Sequence, residues 1–166
     1  MRTRISPWVE ITAKEVQFRQ SEPPQLYHSI AVPDYVAILA RTPENEFPIV
    51  QQYRPAIERL TWELPAGLVE PGEAPLATAK RELLEETGLT AGSARHLGSY
   101  YSDTGRLENK QHGYFIEASD REPNFMPEEN ISIRFVSLDE IKSMVKNGEF
   151  THLLHIALVG MYEWFA

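Results

Sequence analysis

The stretch RELLEETG, residues 81–88, places three carboxylates, Glu82, Glu85 and Glu86, within five positions. On a helix that turns about 100° per residue they share one narrow face. Like charges at that spacing destabilise an isolated helix by roughly 0.2–0.5 kcal/mol per pair. Two readings account for the cluster. A run of glutamates is commonly a solvated face. Alternatively, hard divalent cations, which take oxygen ligands, relieve the repulsion and give the helix a metal-assisted chemistry.

The surrounding residues choose between them. In GLVEPGEAPLATAKRELLEETGL, Gly67 is followed after five residues by Glu73, and after seven more by Arg81-Glu82-Leu83-x-Glu85-Glu86-x-Gly88-Leu89. This segment resembles the signature of the Nudix hydrolases at every constrained position. The resemblance implies an α/β protein, a Nudix-fold α/β/α sandwich with a mixed β-sheet, that hydrolyses a nucleoside diphosphate linked to another group. It also implies Mg²⁺, or Mn²⁺, held by Glu82, Glu85, Glu86 and the backbone carbonyl of Ala66. Cleaving a phosphoanhydride requires neutralised phosphate oxygens and an activated water, and such cations supply both. Gly67, without a Cβ, lets the backbone approach metal and ligand. Arg81 is either an i,i+4 surface partner of Glu85 or, as in the family, the residue that orients the catalytic glutamates together with Glu73. Leu83 and Leu89 belong to the core under either reading.

The flanks bear on the substrate. VQQYRPAIERLTWELPAG resembles the ADP-ribose and nucleotide-sugar pyrophosphatase branch, which implies that Arg54 contacts phosphates and Glu63 contacts the ligand. A planar guanidinium suits phosphate, while a surface charge at a strand end is the other reading of Arg54. The branch carries a catalytic base in an acidic loop before a late strand, which implies Glu129, then Glu128; a solvated loop is the alternative. Aromatic residues of an N-terminal element, Trp8, Phe18 or Tyr27, are either packing residues or a clamp on the base across a dimer. The loop SDTGRLEN, with Arg106, Glu108 and Asn109, is placed to contact the terminal sugar or its phosphate. Many ADP-ribose hydrolases have a proline there and this chain has none, so another nucleotide sugar stays open. For ADP-ribose the products are AMP and ribose 5-phosphate. The rivals are hydrolysis of (deoxy)nucleoside triphosphates and a non-catalytic nucleotide-sugar-binding module. Such modules usually lack a motif glutamate, and none is missing here.

These residues need a scaffold. A chain of 166 residues with 42% hydrophobic content suits one core. The expected organisation is a single Nudix domain, with an N-terminal β element for dimerisation at 1–33 and the core at 34–166. A net charge of −8 argues against nucleic acid as partner. Acidic pockets still accept small phosphorylated ligands through bound cations. The absence of cysteine excludes disulfides and thiolate sites. No secretory signal or bilayer-length apolar run is visible, so a cytoplasmic homodimer with no membrane partner is expected.

Strands are expected over 8–18 and 25–32, then 34–40 and 47–53 as a hairpin across RTPENE, and 59–67 as one short strand. A helix over 74–87 should bury Leu76, Ala79, Leu83 and Leu84, with Gly88 as a left-handed cap. Strands at 94–101, 110–118 and 131–138 follow. Ser137 and Glu140 form a capping box that opens a helix over 138–150, and a last helix starts at Thr151. His152 and His155, one turn apart with no third ligand in sight, read as surface or packing residues.

Overall fold

The structure, a computed structural model, describes residues 1–127 and 129–165. Its first unit is an antiparallel sheet of β1 (Arg2–Ser6), β2 (Val9–Val16) and β3 (Gln25–Ala31). The short, polar β1 carries no strand signal of its own. It is extended because β2 pairs with it, Arg2 opposite Thr12 and Thr3 opposite Ile11.

Two sheets build the rest. The four-stranded mixed sheet has the order β7 (Ala66–Leu68), β4 (Tyr35–Arg41), β9 (Lys110–Arg121), β8 (Leu89–Tyr101). Here β4 runs parallel to β9 and antiparallel to β7. The second sheet has the order β10 (Ser132–Val136), β5 (Phe47–Arg54), β6 (Arg59–Glu63), all antiparallel. Because β4 is covered on both faces, its apolar run is continuous, as buried strands require. Val36, Ile38 and Ala40 meet Ala79 and Leu83 of α1 (Pro75–Thr87). Ala37 and Leu39 face the other way, toward Phe47, Ile49 and Val136 of the second sheet. With them pack Ile141 and Met144 of α2 (Leu138–Asn147) and Leu158 of α3 (Leu153–Trp164). The expected mixed sheet between helical layers is present.

Three local expectations change. The chain does turn at RTPENE, where the Thr42 N–H donates to the Glu46 carbonyl at 2.8 Å. The two strands then separate: β4 pairs with β7 and β9, while β5 pairs with β6 and β10. Residues 59–67 are also two strands in different sheets, β6 and β7, interrupted at Leu64 and Pro65. On α1, Leu76 and Leu84 are exposed, and the buried face consists of Thr78, Ala79, Leu83, Glu86 and Thr87. The helix is rotated to bury a carboxylate where periodicity places a leucine.

The helix ends follow the sequence. Gly88 adopts φ 74°, and its N–H closes on the Leu84 carbonyl at 2.8 Å, a conformation that favours glycine. Ser137 caps α2 by accepting the Glu140 N–H at 3.1 Å.

The rotation of α1 has a measurable consequence. Leu83→Ala should cost about 2–5 kcal/mol in urea denaturation, whereas Leu84→Ala should change stability by about 0.5 kcal/mol or less.

Candidate active site

The carboxylates of α1 lie in three environments. Glu86 is buried, with 6% of its surface exposed. The side chain of Glu82 is 14% exposed and that of Glu85 46%. Glu86 accepts the Ala66 N–H at 3.0 Å and a Gln52 side-chain N–H at 2.8 Å. Burial pushes its carboxyl up to about 8, and the charge of Glu82 adds to that, against the pull of the Ala66 N–H. Donors from β7 and β5, members of different sheets, therefore converge on one carboxylate of α1.

Arg81 touches the partners named in both of its sequence readings. It donates to Glu73 at 3.3 and 3.2 Å, to Glu82 at 2.8 Å and to Glu85 at 2.9 Å. The bond to Glu73 is the first cause holding the guanidinium in its charged form. Gly67 of β7 lies against the same group, and a Cβ built on it would overlap the Glu82 carboxylate. The close approach inferred from the sequence is thus an approach to a motif glutamate.

Arg54 and Glu63, expected on the ligand, are paired with each other. The guanidinium donates through two nitrogens at 2.8 and 2.6 Å, and Thr61 Oγ1 adds a third bond at 2.5 Å. Burial pushes the Glu63 carboxyl up, but Arg54 and Thr61 outweigh it and hold the group below its usual range. Both residues line a cavity of about 470 Å³ together with Arg59, Thr61 and His152.

A buried brace lies behind this pair. His155 Nδ1 accepts the Leu64 N–H at 3.1 Å, and Nε2 meets the Tyr35 hydroxyl at 2.5 Å. Burial drives its pKa well down, so the ring is neutral and Nε2–H donates to tyrosine. The ligand atoms of Glu63, His152 and His155 lie within 4.8 Å of one another. Those of Glu63 are taken by Arg54 and Thr61, and those of His155 by Leu64 and Tyr35. The two imidazoles are stacked, 3.8 Å apart at 16°, which does not aim both rings at one ion. The sequence shows no third ligand beside the two histidines, but the fold brings Glu63 to them, and His152 Nδ1 is buried without a hydrogen-bond partner among the described residues.

The remaining expected residues are dispersed. Trp8 lines a cavity of about 600 Å³ with Pro33, Leu68, Val69, Arg81 and Glu82 of its own chain. Phe18 and Tyr27 instead meet edge to face at 6.1 Å. Arg106 is exposed, on a loop whose backbone joins β3 through the Ile30 N–H. Glu108 of that loop points at the N-terminal sheet and not into the cavity. Glu129 is exposed before β10, with no hydrogen bond or ion pair to another described residue. Glu128 lies outside the described residues. Gln52 and His155 were missed. Gln52 carried a signal, since it stands two residues from Arg54 and strand side chains of that spacing share a face. His155 was read with His152 as a surface or packing residue, and nothing along its own helix shows that its partners are Leu64 and Tyr35.

The profile of the NUDIX domain family matches residues 32–154. The chain belongs to the Nudix family. Among its Nudix relatives is an ADP-ribose pyrophosphatase of Bacillus subtilis (strain 168), 33% identical over 120 residues, covering 70% of this chain and 65% of that one. A methanol dehydrogenase activator of Bacillus methanolicus is 34% identical over 117 residues, covering 69% of this chain and 63% of that protein. The matches thus span just under two thirds of these curated relatives. The crystal structure of an ADP compounds hydrolase superposes with a TM-score of 0.81 at 16% identity, covering 99% of this chain and 90% of that one. At that identity the likeness is one of fold, and it includes the N-terminal sheet.

Two outcomes follow from the Nudix glutamates. The Glu86 carboxyl lies near 8 in the native state, above its ordinary 4.5. The native state therefore binds this proton more tightly, and the associated stability is complete below about 4.5 and lost as pH rises through about 8. In chelator-treated protein, urea denaturation at pH 5 and pH 9 should show that loss, and Glu86→Gln should remove roughly 2–4 kcal/mol of it. Gly67→Ala should leave the fold intact, because the clash falls on the end of a flexible side chain. By isothermal titration it should weaken Mn²⁺ binding about tenfold or more as Glu82 is displaced.

Proposed function

We propose that this protein is a divalent-cation-dependent pyrophosphatase that hydrolyses ADP-ribose or a related nucleoside diphosphate sugar to a nucleoside monophosphate and a sugar phosphate. The observation that carries the reading is the convergence of Glu82, Glu85 and Glu86 on one face of α1, braced by Arg81 and Glu73 and approached by Gly67. The relation to an ADP-ribose pyrophosphatase across 70% of the chain supports the substrate class.

The donor set fits a hard cation. All candidate ligands are oxygens, and burial together with like charge destabilises the ionised form of Glu86, which a nearby cation would restore. Glu82, Glu85, Glu86 and the carbonyl of Ala66 would hold Mg²⁺ or Mn²⁺. When bound, the cation neutralises phosphate charge and acidifies an attacking water. Arg81 keeps the glutamates in place when substrate charge arrives. Glu129, on the loop before β10, takes the proton from the water as general base, with Glu128 as the alternative from the sequence. Arg54 turns its guanidinium to the diphosphate, and Glu63 fixes the orientation of that fork and contacts the ligand. Trp8 offers its ring to the base above the apolar wall of Leu68 and Val69, and Arg106 reaches the terminal sugar.

The protein is proposed to act as a cytoplasmic homodimer through the N-terminal sheet, with no nucleic-acid or membrane partner. Among the described residues no helix is long and apolar enough to cross a membrane.

Turnover should be measured on ADP-ribose, ADP-glucose, UDP-glucose, GDP-mannose and dNTPs, with Mg²⁺ and with EDTA. Metal-dependent release of AMP from ADP-ribose is expected. Glu85→Gln and Glu86→Gln should each lower kcat by on the order of 10²-fold or more, Glu86→Gln without loss of stability. A preference for dNTPs would overturn the substrate class. No turnover of any compound would favour a binding module.

A further inference from the structure

The N-terminal sheet shares no ladder with either core sheet among the described residues. Its polar attachment to the core runs through the 102–109 loop, and one side chain there touches all three of its strands. Glu108 accepts from Arg2 of β1 at 3.4 Å, from Lys14 of β2 at 3.1 Å and from Ser29 of β3 at 2.5 Å. Backbone bonds flank it, Ile30 N–H to the Arg106 carbonyl at 2.7 Å and Glu108 N–H to the Ile30 carbonyl at 3.0 Å. The Tyr27 hydroxyl donates to the Gly105 carbonyl close by. Single exposed ion pairs contribute little, but several donors on one carboxylate, one of them a partly buried hydroxyl, form a network.

At the far end of the sheet, the turn between β1 and β2 brings Pro7 and Trp8 to the cavity that Arg81 and Glu82 also line. Lys14 lies six residue steps beyond Trp8 along the chain, about 20 Å at strand rise. The chain passes into β4 just beyond Ala31, which pairs with Glu10 near that turn, while Glu108 fastens the sheet at Lys14, away from it.

We propose that Glu108 is a positioning residue: by binding one residue from each of β1, β2 and β3, it holds the N-terminal sheet on the core and thereby keeps Trp8 over the substrate cavity. The second half rests on the reading of Trp8 as the surface that receives the base. Glu108 touches no reacting group. Its loss leaves the α1 carboxylates, which belong to the core, undisturbed, so substrate affinity falls while the chemical step persists.

The test pairs amide hydrogen exchange with kinetics on ADP-ribose for Glu108→Ala, Glu108→Gln and Trp8→Ala. Glu108→Ala should speed exchange across residues 2–31 about tenfold or more and leave α1 and β4 unchanged. It should raise KM about tenfold with kcat within about twofold. Glu108→Gln, which still accepts from Ser29, should recover part of both effects. Trp8→Ala should raise KM about tenfold or more without altering exchange at β3. Unchanged exchange over 2–31 in Glu108→Ala overturns the proposal. A freed sheet with unchanged KM also overturns it, provided that Trp8→Ala raises KM. If Trp8→Ala leaves KM unchanged, the base-stacking reading fails by itself. The exchange data need no substrate, so they decide the anchoring role even if ADP-ribose is not turned over.

Discussion

Glu86 is a carboxylate removed from water within reach of a second carboxylate, Glu82, and most of this structure is arranged around that conflict. Desolvation and like charge both favour its protonated form. The protein opposes them with the Ala66 N–H, the Gln52 amide and the charge of Arg54. The donors come from the edge of the mixed sheet and the centre of the second sheet, so the glutamate ties α1 to both layers. On the proposed reading, a cation at this face would restore the ionised form that burial disfavours. The stability gained by the protonated form is lost as this carboxyl ionises.

The segment between β6 and β7 is the second structural consequence. Crossing from one sheet to the other interrupts the ladder at Leu64 and Pro65, and a buried N–H without a partner is costly. Proline carries no N–H, and the Leu64 N–H is accepted by His155 of α3, whose other nitrogen meets Tyr35 of β4. The crossing places Glu63 in one sheet and Ala66 in the other, beside Arg54 and Glu86 respectively. Arg54 is ion-paired here, and its fork geometry suits a phosphate group equally well.

The N-terminal sheet adds an element outside the matched family segment of 32–154. It contributes little to the core: Trp8, Phe18 and Leu26 are exposed. Its importance lies in reach, because its first turn lines one cavity with Arg81 and Glu82 of α1 in the same chain. The 102–109 loop, read from the sequence as a sugar contact, is bound through Glu108 to this sheet. The role of a loop charge depends on which surface it meets, and no local pattern encodes that.

The sequence by itself determined whatever depends on spacing along one element. Helical periodicity puts Glu82, Glu85 and Glu86 on one face, Gly88 stops α1, Ser137 opens α2, and the Gly67-to-Leu89 spacing identifies the family. Tertiary structure alone decided what depends on which surfaces meet. Leu84 is left exposed and Glu86 buried on α1, β4 and β5 part after a turn that reads as a hairpin, and Arg54 meets Glu63. His155 became a brace and Glu108 an anchor for the same reason. Periodicity constrains which residues of an element face together. The direction that face takes is set by contacts with residues remote in sequence, and those contacts exist only once the sheets have assembled.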